Sequence, residues 1–271
     1  DSAGLDFILE IGQPTHKTPT PWPGNCQAAI SLTFDDGLAS QLAIAVPMLD
    51  DHGLQATFYP IAGEDYRQTL APWQPVAAAG HEIGNHTARH PCSINHAFIR
   101  RGGRLTLEEM TLADMRSELD LAQHRLEEMI PSSTTCSFAY PCYQPFVGRG
   151  TQHASYVPLV AQQFVAGRGI GESANDPDCC DVAYLWSWPC ERLSGAELIG
   201  LVERAAASKR WVIFTFHGIH EGNLSIAEED LLELCGFLAD NDSRLLTATV
   251  EAVAQSVTKW QRRLIQGSVR D

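Results

Sequence analysis

Two adjacent carboxylates follow the first strongly apolar run of the chain. The run covers residues 28–34 and ends in Asp35-Asp36-Gly37. In α/β proteins, the residues after the C-terminal ends of strands build the active site. Adjacent side chains diverge, so one carboxylate could bind a cation while the other stays free as a base. The alternative is an ordinary helix N-cap with a second acidic residue beside it.

Two histidines stand four residues apart, at His86 and His90, with Thr87 between them. Residues i and i+4 of a helical turn project from the same face, so the spacing predicts a short turn that presents both imidazoles to one metal. With one of the two carboxylates they form a two-histidine, one-carboxylate set, which suits catalytic zinc. Thr87 is a candidate for orienting a ligand or contacting substrate. A pair of surface histidines without a shared role is the alternative.

A third histidine, His217, directly follows the apolar run at residues 211–216. At the C-terminal end of a strand, an imidazole could act as a general acid for a leaving group. A lone histidine after a strand is often incidental, and His220, three residues on, is a weaker neighbour of the same site.

These residues require strands and helices that bring them together. Helical patterns at residues 41–51 and 107–130 alternate with short apolar runs, which favours a parallel sheet with helices outside it. Six or seven such units would close as a barrel. Three capping-box pairs predict helix starts: Thr106/Glu109, Ser194/Glu197 and Ser225/Glu228. Six apolar runs are the predicted strands: residues 28–34, 56–61, 135–139, 164–166, 212–216 and 245–249.

Length and charge narrow the function. The chain has 271 residues and a formal net charge of −14, with no basic block. Nucleic acids and anionic membranes need clustered cations, so both are disfavoured as partners. We expect one domain at residues 26–271, preceded by an extended Thr- and Pro-rich lead-in at residues 1–25. The first residue is Asp1, which suggests a trimmed leader and a secreted, periplasmic or cell-surface protein, with a cytoplasmic one as the alternative.

Eight cysteines lack the C-x-x-C spacing of zinc ribbons and thioredoxin-type sites. Cys235 lies in an apolar helical stretch and is expected to be a buried thiol. If the protein is exported, one or two disulfides are expected among five of the others: Cys92, Cys142, Cys179, Cys180 and Cys190.

In order and spacing, Thr33–Gly37, His86-Thr87-x-x-His90 and Phe216-His217 resemble the NodB-homology polysaccharide deacetylases of carbohydrate esterase family four. The resemblance covers about residues 26–255. It implies an α/β fold, a distorted (β/α)7-type barrel with a groove across the C-terminal strand ends. It also implies that Asp35 is the base, that Asp36 and the two histidines bind Zn²⁺ or another divalent metal such as Co²⁺, and that His217 is the acid.

The third motif of that family departs here. Its usual Arg-x-Pro is replaced by a stretch in which Ala139 stands where the arginine would be, followed by Pro141, Cys142 and Tyr143. These three are tentative substrate or support residues, and a backbone N–H near Cys142 would help to stabilise the oxyanion. Arg168, after the next predicted strand, is the candidate that supplies the missing guanidinium.

The fourth motif departs as well. Ser187 occupies the place of an aspartate that tunes the catalytic histidine in the family, while Trp188 is the candidate for the acetyl pocket. Three aspartates of the preceding loop are candidates to compensate: Asp176, Asp178 and Asp181.

These observations predict an N- or O-deacetylase acting on an acetylated oligo- or polysaccharide. Two alternatives stay open. One is a catalytically weak carbohydrate-binding protein that kept the metal site, suggested by the missing arginine and aspartate. The other is a related amidohydrolase acting on a small cyclic amide.

Overall fold

The computed structural model describes residues 20–268, apart from Asn25, Ala97 and residues 99–105. Most of the expected lead-in, residues 1–19 and Asn25, therefore lies outside the described part. No helix within the described ranges is both long and apolar enough to cross a membrane.

The strands are short except for two. In chain order they are β1 Ala28–Asp36, β2 Thr57–Pro60, β3 Glu82–Ile83, β4 Phe138–Ala139, β5 Phe146–Val147, β6 Ala154–Ser155, β7 Gly167–Arg168, β8 Trp188–Pro189, β9 Trp211–Phe216 and β10 Leu245–Thr247. β9 is buried at every position, and β1 at all but its last. Such continuous apolar runs are typical of parallel strands covered on both faces.

The helices lie between the strands. They are α1 Val46–Asp51, α2 Tyr66–Leu70, α3 Trp73–Ala78, α4 Leu112–Met129, α5 Val157–Gln163, α6 Gly195–Ser208, α7 Glu228–Asp240 and α8 Val250–Ser268. A π-helical turn at Gln41–Ala45 leads into α1, and 3₁₀ turns occupy Leu107–Glu109, Pro131–Thr134, Pro141–Tyr143 and Gly150–Gln152.

The main sheet is parallel, in the order β3-β2-β1-β9-β8. The start of β1 pairs with β10 on the side where its end pairs with β2. A second parallel pair, β4-β7, is linked to the main sheet by single bridges from Asn85 to Phe138 and from Arg168 to Leu185. β5 and β6 form a separate antiparallel hairpin.

The strand pairing thus forms a ring in the order β1, β2, β3, β4, β7, β8 and β9. Single bridges connect the chain after β3 to β4, and β7 to the chain before β8. The predicted α/β architecture with a parallel sheet is confirmed, and the ring is distorted and incompletely bonded. The main core is formed by the large side chains of β1, β2 and β9 with the helices outside them, including a stack of three phenylalanines: Phe34, Phe58 and Phe216.

Helix starts agree with the capping pairs in part. The Ser194/Glu197 box opens α6 as predicted. The Thr106/Glu109 box instead caps a 3₁₀ turn, and the α4 helix begins later, behind a Thr111/Asp114 box.

The prediction for Ser225 is wrong, because α7 begins after Ala227 with no side-chain cap. Ile226 exchanges backbone hydrogen bonds with residues 218 and 220, which holds the chain extended at this point. The ring Nε2 of His220 accepts the Glu228 N–H at 3.2 Å, in the place of a serine cap.

Candidate metal and active site

The ends of β1 and β9 bring the first and last motifs together. The two strands pair in register up to Phe34 and Phe216, so Asp35 and His217 are the next residues on adjacent strands. The side-chain amide of Gln41 donates to the backbone carbonyls of both Asp35, at 2.5 Å, and His217, at 3.0 Å. This buried amide ties the two strand ends together, and no motif pointed to it.

Three predicted metal ligands converge on one point. Oδ1 of Asp36 lies 3.5 Å from Nε2 of His86 and 3.4 Å from Nε2 of His90. Their ligand atoms all lie within 4.8 Å of one another. Oδ1 of Asp36 is buried and has no hydrogen-bond partner within the described residues. The three side chains therefore leave donor atoms directed at one shared space.

This geometry fits a tetrahedral cation. Nitrogen and oxygen ligands about 2.0–2.1 Å from zinc lie roughly 3.3–3.4 Å apart in a tetrahedral site. The separations from Asp36 to both imidazoles agree with that edge length. The donor set, two imidazoles and one carboxylate, leaves a fourth position open, as catalytic zinc requires.

A hydrogen bond on the side of the ring opposite the cluster fixes the orientation of His86. Its Nδ1 lies 2.8 Å from the carbonyl oxygen of Ala139, which only an N–H can satisfy. This places the proton on Nδ1 and leaves the Nε2 lone pair free to bind a metal. The loop that precedes His90 is fixed in a similar way, because Thr87 Oγ1 accepts the His90 N–H at 3.0 Å.

The expected helical turn between these histidines is wrong. Residues 84–90 form no helix, and Thr87 and His90 have left-handed φ angles of 63° and 51°. Asn85 bridges to β4, and its Oδ1 accepts the Thr87 N–H at 2.9 Å. The loop is therefore folded by side-chain hydrogen bonds, and it brings the two imidazoles together by another route.

The charges of the cluster affect one another. Burial opposes ionisation of Asp36, but the close approach of His86 and the charges of His86, His90 and His217 hold the pKa of this carboxyl below its usual value. Burial and the neighbouring His86 lower the pKa of His90 to about 4. A neutral imidazole beside an ionised carboxylate is the protonation state in which both can bind a metal.

Arg168 reaches the carboxylate of Asp35. Its Nη2 donates to both oxygens, at 2.5 and 2.6 Å, and its Nη1 donates to Thr215 at 3.0 Å. β7 pairs with β4 so that Arg168 lies beside Ala139 in register. A guanidinium therefore reaches Asp35 from the strand next to the one that carries Ala139.

The turn at Pro141–Tyr143 faces the histidine loop. Cys142 and Tyr143 have left-handed φ angles of 51° and 59°. A disulfide joins Cys142 to Cys92, two residues after His90. One of the expected disulfides is therefore present, and Cys235 is a buried thiol as predicted.

The remaining candidates make contacts with other parts of the fold. Trp188 is half-buried and packs against the main core. Ser187 is buried and donates to the carbonyl of Gly169 at 2.6 Å. His220 lies outside the cluster, because its ring faces the first turn of α7.

Residues 24–144 match the family model described as polysaccharide deacetylase. A protein of Mycobacterium smegmatis, provisionally classed as a polysaccharide deacetylase, superimposes with a TM-score of 0.62 at 14% identity, over 89% of this chain and 93% of that one. The peptidoglycan deacetylase PdaC of Bacillus subtilis gives 0.53 at 18% identity, over 91% and 98%. A family-four pseudoenzyme of Bacillus anthracis gives 0.53 at 15% identity, over 85% and 66%.

Identities this low compare folds only, and the neighbours include active and inactive proteins. The family model covers the carboxylate pair, the histidine loop and the Pro141–Tyr143 turn. In that match over residues 24–144 and in its fold, the chain is similar to the NodB-type polysaccharide deacetylases, as its motifs predict.

Proposed function

We propose that the protein removes acetyl groups from a carbohydrate by hydrolysis, with a divalent metal such as Zn²⁺ held by Asp36, His86 and His90. The observation that carries this proposal is the convergence of one carboxylate oxygen and two imidazole nitrogens on a shared space. A metal bound there would supply Lewis acidity towards the acetyl carbonyl and towards the attacking water.

Asp35 is the base in this proposal. It follows Phe34 on β1 and is nearly fully buried, next to the metal ligand Asp36. Arg168 holds both of its oxygens from one side, so the carboxylate keeps a single orientation. A carboxylate fixed in this way can take the proton of an attacking water without searching for the correct geometry.

The Pro141–Tyr143 turn supplies an oxyanion donor. The N–H groups of Tyr143 and Gln144 bond to the carbonyls of Tyr140 and Pro141. The N–H of Cys142 is engaged by neither bond, and the disulfide holds this residue close to His90. We assign the Cys142 N–H to the developing negative charge of the acetyl oxygen.

His217 is the acid that protonates the departing group. It stands next to Asp35 across the β1-β9 pair, and its charge affects both Asp36 and His90. Base and acid therefore flank the same space. An amine leaves poorly unless it is protonated, so acetamido sugars depend on His217 more than acetate esters do.

Exposed aromatic residues and the net charge bear on the choice of substrate. Trp186, on the loop that follows β7, and Phe146, on β5, are exposed aromatic residues, and such side chains commonly pack against sugar rings. The net charge of −14 favours a neutral or cationic saccharide over an anionic one.

The test combines metal analysis with acetate release. Zinc-loaded protein is offered acetylated chito-oligosaccharides, acetylxylan and 4-nitrophenyl acetate. We expect about one metal per chain, and acetate release that His90→Ala abolishes together with metal binding. His220→Ala, an exposed histidine outside the cluster, is the matched control and should keep both. Stoichiometric metal without release from any substrate would instead favour a carbohydrate-binding pseudoenzyme.

A further inference from the structure

Two buried polar atoms, one on the proposed acid His217 and one on Glu191, lack hydrogen-bond partners among the described residues. Nδ1 of His217 and Oε2 of Glu191 are both enclosed, and neither has a hydrogen-bond partner within the part of the chain that the structure describes. Buried polar atoms are nearly always hydrogen-bonded, so a donor and an acceptor left over in one region call for an explanation. The pair is complementary, because the imidazole nitrogen can donate and the carboxylate can only accept.

Strand register places the two residues side by side. β8 pairs with β9 so that Trp188 lies opposite Phe214 and Pro189 opposite Thr215. The N–H of Cys190 then donates to the Thr215 carbonyl at 3.0 Å, which extends the parallel register by one residue. The next residues along the two strands are Glu191 and His217. Neighbouring strands lie about 4.8 Å apart, a distance that rotation of a glutamate side chain can bridge.

The other acidic candidates are bound elsewhere. Asp176 pairs with Arg210 at 3.2 Å, Oδ1 of Asp178 accepts from the Trp260 indole at 2.7 Å, and Oδ1 of Asp181 accepts the N–H of residue 183 at 2.9 Å. Each of these aspartates thus has a partner of its own other than His217.

Glu191 belongs electrostatically to the same cluster. Burial raises the pKa of Tyr143, the Arg168 charge lowers it, and the charges of Asp35 and Glu191 raise it further. The carboxylate of Glu191 is therefore near the turn that carries the proposed oxyanion donor.

We propose that Glu191 is the positioning residue of His217, accepting a hydrogen bond from Nδ1–H when the site is engaged. This contact would fix the imidazole tautomer, direct Nε2 towards the leaving group and stabilise the ring once it is protonated. The inference rests on the proposed function only in giving His217 the role of acid. It places the supporting carboxylate two residues beyond β8, and not at Ser187 or in the 176–181 loop.

The test begins with the tautomer of His217, which can be read without catalysis. Full-length protein labelled with ¹⁵N-histidine is examined by NMR, metal-free and zinc-loaded, with the His217 signal identified from its loss in His217→Gln. We expect the Nδ1-protonated tautomer to dominate in the parent. Glu191→Leu, which fills the space without an acceptor, should shift the population towards the Nε2-protonated form.

Two further variants sharpen the reading. Glu191→Gln keeps an acceptor and removes the charge, so the parent tautomer should persist. Glu172→Gln changes an exposed glutamate in the loop before β8 and should leave the spectrum unchanged. If Glu191→Leu retains the parent tautomer in both metal states, the inference is wrong.

Kinetics provide the second arm. Glu191→Leu should lower turnover of an acetamido substrate about 100-fold and of 4-nitrophenyl acetate less than about threefold, because only the amine needs the acid. An equal loss on both substrates would indicate general damage and would overturn the positioning role. If no sample hydrolyses anything, the proposed function fails while the NMR result still decides the inference.

Discussion

Arg168 and Asp35 form a fully buried ion pair in which one guanidinium nitrogen contacts both carboxylate oxygens, at 2.5 and 2.6 Å. The two residues are 133 positions apart in the chain. The pair joins β7 to the end of β1 across the interior of the ring, and the rings of Tyr59 and Tyr143 lie against the guanidinium. The proposed base is therefore held by a residue outside the region that the family model matches.

Replacing Arg168 by lysine should separate charge from geometry. Lysine keeps the positive charge but lacks the planar fork, so Asp35 loses its fixed orientation. We expect kcat to fall about 100-fold, with unchanged metal content by elemental analysis. Arg210→Lys, which alters a partly exposed pair, should retain parent kinetics.

A swap tests the spatial argument directly. Because residues 139 and 168 are register partners, Ala139→Arg combined with Arg168→Ala should recover part of the activity that Arg168→Ala loses. Parent-like turnover in Arg168→Ala alone would remove the arginine from the mechanism.

The Cys92–Cys142 disulfide should support both stability and the metal site. It closes a separation of 50 residues, for which the entropic effect on the unfolded chain is about 4 kcal/mol. The double variant Cys92→Ser/Cys142→Ser should unfold at lower denaturant concentration. It should also bind zinc more weakly, because Cys92 follows the His90 loop. Zinc titration and urea unfolding measure the two effects.

The control for the disulfide is Cys179→Ser, which changes an exposed free cysteine. It should match the parent in both measurements. Unchanged zinc affinity in the double variant would limit the disulfide to a role in stability.

Glu251 should make stability fall as pH rises. Burial and the neighbouring Glu82 raise the pKa of Glu251 to about 7, above the 4.5 of the unfolded chain. The folded state therefore prefers the protonated form, so stability is lost between about pH 4.5 and pH 7. Glu251→Gln should equal the parent near pH 4 and exceed it at pH 8, by about 1 kcal/mol after allowance for partial exposure and for the favourable helix N-terminus.

Thermal unfolding of metal-free protein at both pH values measures this effect. Glu229→Gln is the control, since Glu229 also lies in the first turn of a helix but has a side chain 79% exposed. A gain for Glu251→Gln that is equal at pH 4 and pH 8 would refute the raised pKa.

The leaving group should decide how much His217 matters. His217→Ala is expected to lose nearly all activity on an acetamido sugar, by about 100-fold or more, and to keep most of it on 4-nitrophenyl acetate. Acetate and nitrophenol release measure the two reactions. Equal losses on both would mean that the residue shapes the site and does not act as an acid.

The sequence predicts the parts of the site that lie at strand ends. The apolar runs before Asp35 and His217 are long enough to identify as buried strands, and the sheet then brings their ends together. The candidate ligands His86 and His90 were predicted from their spacing of four, but the helical turn expected between them was not found. Spacing of four fits a helix and also a loop folded by Asn85 and Thr87, and only tertiary hydrogen bonds distinguish the two.

Other contacts depend on register, which the sequence does not reveal. Arg168 could be proposed as a substitute for the missing arginine, but its position beside Ala139 becomes visible only once β4 and β7 are paired. β3, β4, β7 and β8 are two residues long, too short for an alternation signal. Glu191 was missed because its relation to His217 follows from one such strand.

The buried amide of Gln41 has a mechanical consequence. It bonds at once to the backbone carbonyls of Asp35 and His217, so the two strand ends cannot slide past each other without breaking a contact. The proposed base Asp35 and the proposed acid His217 are thereby held at a fixed distance from each other. Adaptation to a larger acyl group or a different sugar must then occur in the surrounding loops, and natural variation in substrate choice should be sought there.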